Sequence, residues 1–166
     1  MAAGQDEWMT HARLFLAALA LSAPNAALAA EKPPYWASIR AGQARMRTGP
    51  ARTYPASWLY RRSDLPVRVV AQFKEWRKVE DPDGTQGWMQ ANLLSEARTA
   101  IVKAPQPIAM LDRPVAGAQL KWRAAPGVVG RISRCANGWC RFDVKDHAAW
   151  VEQGGIWGVG PGEVLP

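Results

Sequence analysis

An internal repeat constrains the fold of this 166-residue chain more than any other feature. Four short matches occur in the same order at offsets of 62–64 residues: 46–50 with 110–114, 75–80 with 138–143, 87–89 with 149–151, and 93–94 with 156–157. Matches that keep their order and nearly their offset indicate duplication of one structural unit of about 60 residues. The fold must therefore be one that a short unit can form twice.

The repeated unit is predicted to consist of short strands joined by turns. The chain has 13 prolines and 14 glycines, which favour turns over long helices. In the first copy the predicted strands are 67–73, 76–81, 85–90 and 99–102, with one helical turn at 91–94. An Asp-Gly pair at 83–84 predicts a hairpin turn. We therefore predict an all-β chain of two small closed or half-closed barrels, which packing together would stabilise.

The N-terminus has the pattern of a secretory signal peptide. Residues 14–23 form an apolar run of ten, and Ala-Leu-Ala at 27–29 provides small residues before a cut at Ala30. Ten apolar residues are too few to span a bilayer, and no other run is long enough. A buried N-terminal helix is the alternative. Acidic residues at positions 6 and 7 do not suit a leader, so Met9 is the expected start.

These boundaries predict five segments. They are a signal peptide at 1–29, a first domain at 30–102, a linker at 103–107, a second domain at 108–160 and a tail at 161–166. The linker sequence Lys-Ala-Pro-Gln-Pro is expected to be short and stiff. The chain carries a net charge of +7, and the leader holds two acidic residues and one arginine, so the mature charge is +7 − (−1) = +8. Outside the cytoplasm, such a protein meets anionic cell-wall polymer or lipid headgroups rather than nucleic acid.

The repeat resembles the bacterial SH3-like (SH3b) domain. The resemblance rests on Trp-x-x-Val at 76–79, the Asp-Gly hairpin, Gly-Trp at 87–88 and Leu-Leu at 93–94. Met-Arg-Thr-Gly-Pro at 46–50 is similar to the Asn-Val-Arg-x-Gly-Pro opening of that family, whereas the second copy lacks its arginine and glycine. Two copies behind a signal peptide look like the SH3-like periplasmic proteins of alphaproteobacteria. The resemblance implies a periplasmic or secreted binding module, often for cell-wall peptide or glycan, without catalysis.

Two tryptophans at matching positions are candidates for a binding surface. Residues two apart on a strand share a face, so Trp76 lies opposite Val79, and Trp139 lies opposite the apolar stripe of its own strand. We interpret both as exposed aromatic platforms in a groove, although a small barrel also needs large core side chains. Trp88 and Trp150 are interpreted as mainly core.

Further candidate ligand-binding residues cluster between the first two predicted strands. The aromatic residues are Tyr54, Trp58 and Tyr60, and Arg47 and Arg61 lie nearby in the sequence. In SH3-like folds this loop walls one side of the peptide groove. Aromatic rings interleaved with arginines suit stacking on a sugar or peptide and bidentate binding of carboxylates. The alternative is a solvated basic surface with its aromatic rings folded inward. The first copy, richer in such residues, is the expected binder.

The two cysteines predict a disulfide across a hairpin. Asn137-Gly138 is the sequence typical of a two-residue type I′ turn, which places Cys135 directly opposite Cys140. Their Cα atoms should lie about 4.5 Å apart, within disulfide range. A metal site would need two further ligands, and a thiol enzyme would need a placed histidine base. Location and spacing favour the disulfide.

The sequence favours binding over catalysis. It has one histidine after the leader, no Gly-x-Ser-x-Gly motif, and no glycine-rich phosphate loop before a helix. We expect a non-enzyme without cofactor or metal. Its expected ligand is cell-wall (peptidoglycan) material or a peptide of an envelope protein. The competing readings are an accessory or hydrolytic cell-wall enzyme, and a basic protein that binds anionic envelope surfaces.

Overall fold

Fourteen short strands in two sheets make up the part of the chain that the structure, a computed structural model, describes, which is residues 31–166. The predicted signal peptide lies outside these residues. The strands of the first sheet are β1 Tyr35–Ile39, β2 Ala44–Arg47, β3 Ala56–Tyr60, β4 Pro66–Phe73, β5 Trp76–Glu80, β6 Gln86–Gln90 and β7 Leu94–Ser95. Those of the second are β8 Thr99–Val102, β9 Ile108–Leu111, β10 Leu120–Ala124, β11 Val129–Ala136, β12 Trp139–Val144, β13 His147–Glu152 and β14 Ile156–Trp157.

The two sheets have the same topology. Their strand orders are β3-β2-β6-β5-β4-β1-β7 and β10-β9-β13-β12-β11-β8-β14, which coincide when seven is added to each number of the first. All pairings between these strands are antiparallel, and a one-turn 3-10 helix precedes the last strand of each sheet, at Ala91–Leu93 and Gln153–Gly155. The predicted all-β fold of two tandem SH3-like domains is confirmed.

Each sheet has its own apolar core. Alternating residues of the strands point inward, as in Val67 and Val69 of β4, which are fully buried. The first core adds Met46, Val79 and Met89, and the second is built around Phe142, Val151 and the two cysteines. Two separate clusters mean that each copy supplies its own hydrophobic stabilisation.

One strand that was expected in the first copy belongs to the second copy. Thr99–Val102 was predicted to close the first domain, but as β8 it pairs with β11 and β14 of the second sheet. The strand is buried throughout because it has neighbours on both sides. The first sheet ends with β7, and residues 96–98 join the sheets. Residues 103–107, predicted as the linker between copies, instead connect β8 to β9 within the second sheet.

The hairpin disulfide is present as predicted. Asn137 and Gly138 have φ values of 52° and 80°, as a type I′ turn requires. Cys135 pairs with Cys140 across β11 and β12, and their Cα atoms lie 4.1 Å apart. Beyond the expected tail boundary the chain packs on this hairpin, because Leu165 exchanges two backbone hydrogen bonds with Cys135.

Residues 31–166 form one compact unit in which the two copies contact each other. The Trp36 and Trp157 rings meet edge to face with centroids 4.8 Å apart. The Arg62 Nη1 donates to the Gly127 carbonyl at 3.1 Å, and Lys103 and Asp83 form an ion pair of 2.8 Å. No helix among the described residues is long and apolar enough to cross a membrane.

Candidate functional site

Trp76 is buried, which contradicts its prediction as an exposed platform. The ring lies outside the core cluster, on the strand face opposite Val79 as the alternation predicts, yet Trp76 is only 4% exposed. Its register neighbours are Phe73 on β4 and Gln90 on β6, and its indole N–H donates to the Glu75 carboxylate at 3.2 Å. Trp76 is therefore covered on a face that strand alternation assigns to solvent.

Trp139, which is at the matching position of the second copy, is partly exposed and separates two cavities. One cavity of about 220 Å³ is lined by Ile108, Ala109, Leu111, Trp139, Glu152 and Gly155. The other, of about 540 Å³, lies along the 3-10 turn and the C-terminal segment and is also walled by Trp139 and Glu152. We call the two cavities together the Trp139 groove. Trp139 is partly exposed and lines both cavities, and its ligand-binding role stays a prediction.

Smaller neighbours account for the open groove in the second copy. Three residues that line the groove or pair with Trp139 are small, namely Ala109, Ala136 and Gly155. By strand and 3-10 turn position, the first copy has Arg45, Phe73 and Leu93 instead. Phe73 is the β4 neighbour of Trp76, and Ala136 is the β11 neighbour of Trp139. Comparing side-chain sizes between the repeats is a sequence signal that would have found this difference.

The Trp139 groove combines apolar walls with one carboxylate. Ile108 and Leu111 provide the aliphatic wall, and Glu152 lies directly beside Trp139 in the register of β12 and β13. An exposed indole face suits stacking on a sugar ring or a peptide plane, and the carboxylate accepts N–H or O–H donors from a ligand. The groove therefore suits a neutral or cationic polymer segment rather than a free anion.

The wall formed by the C-terminal segment is held by a buried glutamine. The Gln153 amide nitrogen donates to the Glu163 carbonyl at 2.8 Å, and its amide oxygen accepts from the Gly162 N–H at 3.1 Å. Gln153 is 9% exposed. Sequence reasoning assigned residues 161–166 to a tail and missed this role, which depends on long-range contacts.

Trp88 and Trp150 are half-buried, so their interpretation as mainly core is wrong. The flanking residues Met89 and Val151 are fully buried and occupy the core positions. Alternation then places both tryptophans on the opposite face. There Trp88 lies between Arg47 and Lys78 on the neighbouring strands.

The aromatic cluster of the first copy divides into two exposed rings and one buried ring. Tyr54 is 47% exposed and Trp58 is 57% exposed, as a surface role requires. Tyr60 is 7% exposed, and its hydroxyl donates to the Asp81 carboxylate at 2.7 Å. Burial, together with this hydrogen bond and the negative charge of Asp81, raises the pKa of Tyr60 far above its usual value. Tyr60 is therefore a packing residue, and its predicted position in the ligand groove is wrong.

Of the two arginines predicted to bind ligand, Arg47 hydrogen-bonds a loop and Arg61 lies on the surface. The Arg47 Nη1 donates to the Tyr54 carbonyl at 2.7 Å, so it holds the loop between β2 and β3. The ring of Tyr54 lies over Gly49, where an added Cβ would meet ring carbons. Arg61 is exposed. The ligand-binding roles of Arg47 and Arg61 stay predictions.

Each copy exposes one tryptophan on its edge strand. Trp58 pairs with Met46 across β3 and β2, and Trp122 pairs with Met110 across β10 and β9. The Trp122 ring contacts His147 edge to face at 4.2 Å. Within residues 31–166, no cluster of three or more His, Cys, Asp or Glu side chains suits a metal ion.

Several solved structures resemble this chain at low sequence identity. The chain resembles NlpC2 and NlpC1 from Trichomonas vaginalis, both at a TM-score of 0.34, with 8% and 7% identity, covering 76% of this chain and 49% and 46% of those chains. An NlpC/P60 family protein from Bacillus cereus gives a TM-score of 0.34 and 14% identity, covering 74% of this chain and 56% of its own. The chain thus spans about half the length of these structures.

The family comparison is more direct. A comparison with curated proteins finds no match. The bacterial SH3 domain family matches twice, at residues 40–96 and 104–158. These ranges fall on the two sheets and leave out the first strand of each, β1 and β8. The chain belongs to the bacterial SH3 domain family and carries two tandem copies of the domain.

Proposed function

We propose that this protein is a non-catalytic binding module of the cell envelope, and that its second domain binds cell-wall peptide or glycan in the Trp139 groove. The observation that carries the proposal is the partly exposed indole of Trp139 between two cavities, where the first copy buries Trp76. Family membership supports the ligand class, because bacterial SH3 domains commonly bind cell-wall material. The binding copy is thus the second, whereas aromatic content alone favours the first.

The chemistry of the groove supports this ligand class. Sugar rings and peptide planes present flat apolar faces to an indole, and their hydroxyl and amide groups suit the Glu152 carboxylate. Stacking against Trp139 is possible because Ala136 and Ala109 leave its surroundings open. The two cysteines are both in the disulfide, so neither thiol is available as a nucleophile. This favours binding over a thiol-based hydrolase.

Export to an oxidising compartment is part of the proposal. The hairpin disulfide is compatible with a location outside the cytoplasm, where such bonds persist. The purified mature protein should begin at Ala30 or Glu31. N-terminal sequencing that finds Met1 or Met9 on the functional protein would contradict export.

Co-sedimentation with purified cell-wall sacculi tests the binding function. Trp139→Ala should weaken binding by about 1–3 kcal/mol, the range of an aromatic hot spot. Trp58→Ala is the matched control, because Trp58 is also exposed but lies on the edge strand of the first sheet. Loss of binding in Trp58→Ala with full binding in Trp139→Ala would move the site to the first copy.

A salt series separates groove binding from attraction to an anionic surface. Counterion-driven binding by a mature chain of charge +7 − (−1) = +8 falls steeply between low and high ionic strength. Stacking in the Trp139 groove should persist at high salt. Binding that disappears in high salt and ignores Trp139→Ala would support the basic-surface alternative.

A further inference from the structure

A further cavity lies between the two copies, away from the Trp139 groove. Its volume is about 760 Å³, and its walls come from residues 62–64 of the first copy and residues 126–131 and 143–145 of the second. We call it the intercopy cleft. It meets β12 near Asp143, at the opposite end of that strand from Trp139. The intercopy cleft is therefore a second and separate concavity.

Five charged side chains line the intercopy cleft without pairing with each other. The cations are Arg62, Arg131 and Lys145, and the carboxylates are Asp64 and Asp143. None of the five takes part in an ion pair within residues 31–166. The lining carries both signs of charge and an excess of one positive charge. A zwitterionic ligand with separated charges suits such a lining better than a simple cation does.

Arg131 and Asp143 are neighbours that leave a gap between their charges. They lie directly opposite each other in the register of β11 and β12. Opposite charges at such positions usually attract each other across the strands. Here the nitrogen and oxygen atoms stay beyond ion-pair distance, because no Arg131–Asp143 contact occurs within 4.0 Å. A ligand group inserted between them would meet both charges.

One oxygen of Asp143 needs a donor. The Oδ1 atom is buried and has no hydrogen-bond partner within the described residues. A buried carboxylate oxygen without a donor costs free energy, and native proteins seldom leave one. The intercopy cleft is the open space beside Asp143. Because this oxygen is closed to solvent, an ammonium or amide N–H of a ligand would reach it only after the Asp143 carboxylate rotates toward the intercopy cleft.

Close backbone packing and one hydrogen bond shape parts of the wall of the intercopy cleft. Gly130 has no room for a Cβ, because the Asp143 carbonyl and the Phe142 ring would lie within 3.0 Å of it. The Arg62–Gly127 hydrogen bond of 3.1 Å crosses from one copy to the other.

The geometry points to a binding site for the zwitterionic end groups of a short peptide in the intercopy cleft. Arg131 and Lys145 hold the carboxylate, for which a guanidinium supplies a bidentate fork. Asp143 accepts from the ammonium group. This site is independent of the Trp139 groove and of the ligand proposed for it.

A dipeptide and its two blocked forms test the site on the mature protein. Alanylalanine should produce saturable NMR shifts of the Gly127 and Gly130 amides. N-acetyl-alanylalanine lacks the ammonium, and alanylalanine amide lacks the carboxylate. Each should bind about two- to fivefold more weakly, because each loses one charge pair and the side chains of Arg131 and Lys145 are exposed. No saturable shift, or equal binding of all three peptides, would overturn the proposal.

Two variants assign the groups. Arg131→Gln should weaken the binding of alanylalanine but leave the weak binding of alanylalanine amide unchanged. Asp143→Asn should weaken the binding of alanylalanine but leave the weak binding of N-acetyl-alanylalanine unchanged. Arg134→Gln is the matched control, because Arg134 is exposed on the same strand and does not line the intercopy cleft. If Asp143→Asn does not fold, Arg131→Gln and the two blocked peptides still test the proposed site. An equal effect of Arg134→Gln would refute the assignment.

Discussion

Replacing Trp76 with alanine should destabilise the protein far more than the same change at Trp139. Trp76 is 4% exposed, so its truncation removes nearly all of a buried indole and leaves a cavity. Such changes cost about 3–5 kcal/mol of unfolding free energy. Trp139 already faces two cavities, and its truncation should cost about 1–2 kcal/mol because less packing is lost. The two tryptophans, at matching positions of the two copies, are thus predicted to contribute unequally to the unfolding free energy.

Urea and thermal denaturation, both followed by far-UV circular dichroism, measure these two losses of stability. This signal reports the sheets and not the tryptophan that was removed. For a chain of this size, Trp76→Ala should lower the thermal midpoint by roughly 10–20 °C, and Trp139→Ala by less than about 8 °C. The reasoning on neighbour size would be refuted if Trp139→Ala were as destabilising as Trp76→Ala, or more so.

Three further perturbations test the packing. The hairpin disulfide should leave no free thiol in denatured, unreduced protein, and its reduction should cost about 2 kcal/mol, as expected for so short a loop. Tyr60→Phe should cost about 1–3 kcal/mol in denaturant unfolding, because the buried Asp81 carboxylate loses a donor; an unchanged midpoint would contradict that bond. Burial raises the pKa of Glu163, but hydrogen bonds from Arg98 and the Gly160 N–H outweigh burial and lower it overall. The ionised Glu163 carboxylate should therefore contribute to the unfolding free energy above the ordinary pKa of a glutamate, and this contribution should be lost as acid protonates Glu163. Arg98→Gln should make the unfolding free energy less dependent on acid pH.

The duplication and the hairpin were predictable because the sequence itself carries both signals. Repeat spacing predicted two copies, and the two sheets have the same strand order. The Asn137-Gly138 turn alone sets the register that brings Cys135 opposite Cys140. Repeat spacing and a two-residue turn can both be recognised without knowing how the chain packs.

The exposure of the tryptophans was less predictable. Alternation correctly placed Trp76 on the face opposite Val79, but alternation does not say what covers that face. The assignment of Thr99–Val102 failed for a similar reason, since an apolar run predicts a strand but not its partners. The intercopy cleft depends on how the two copies pack, and no local pattern encodes it.

Closing the groove without touching Trp139 is the most direct test of the central claim. Ala136→Phe gives the second copy the aromatic neighbour that Phe73 provides to Trp76. Ala56→Phe, on the exposed edge strand β3, is the control of equal chemistry. We predict that Ala136→Phe keeps the fold but lowers co-sedimentation with sacculi at least about tenfold, the equivalent of 1.4 kcal/mol, while Ala56→Phe binds normally. Normal binding by Ala136→Phe would contradict the assignment of the Trp139 groove as the ligand site.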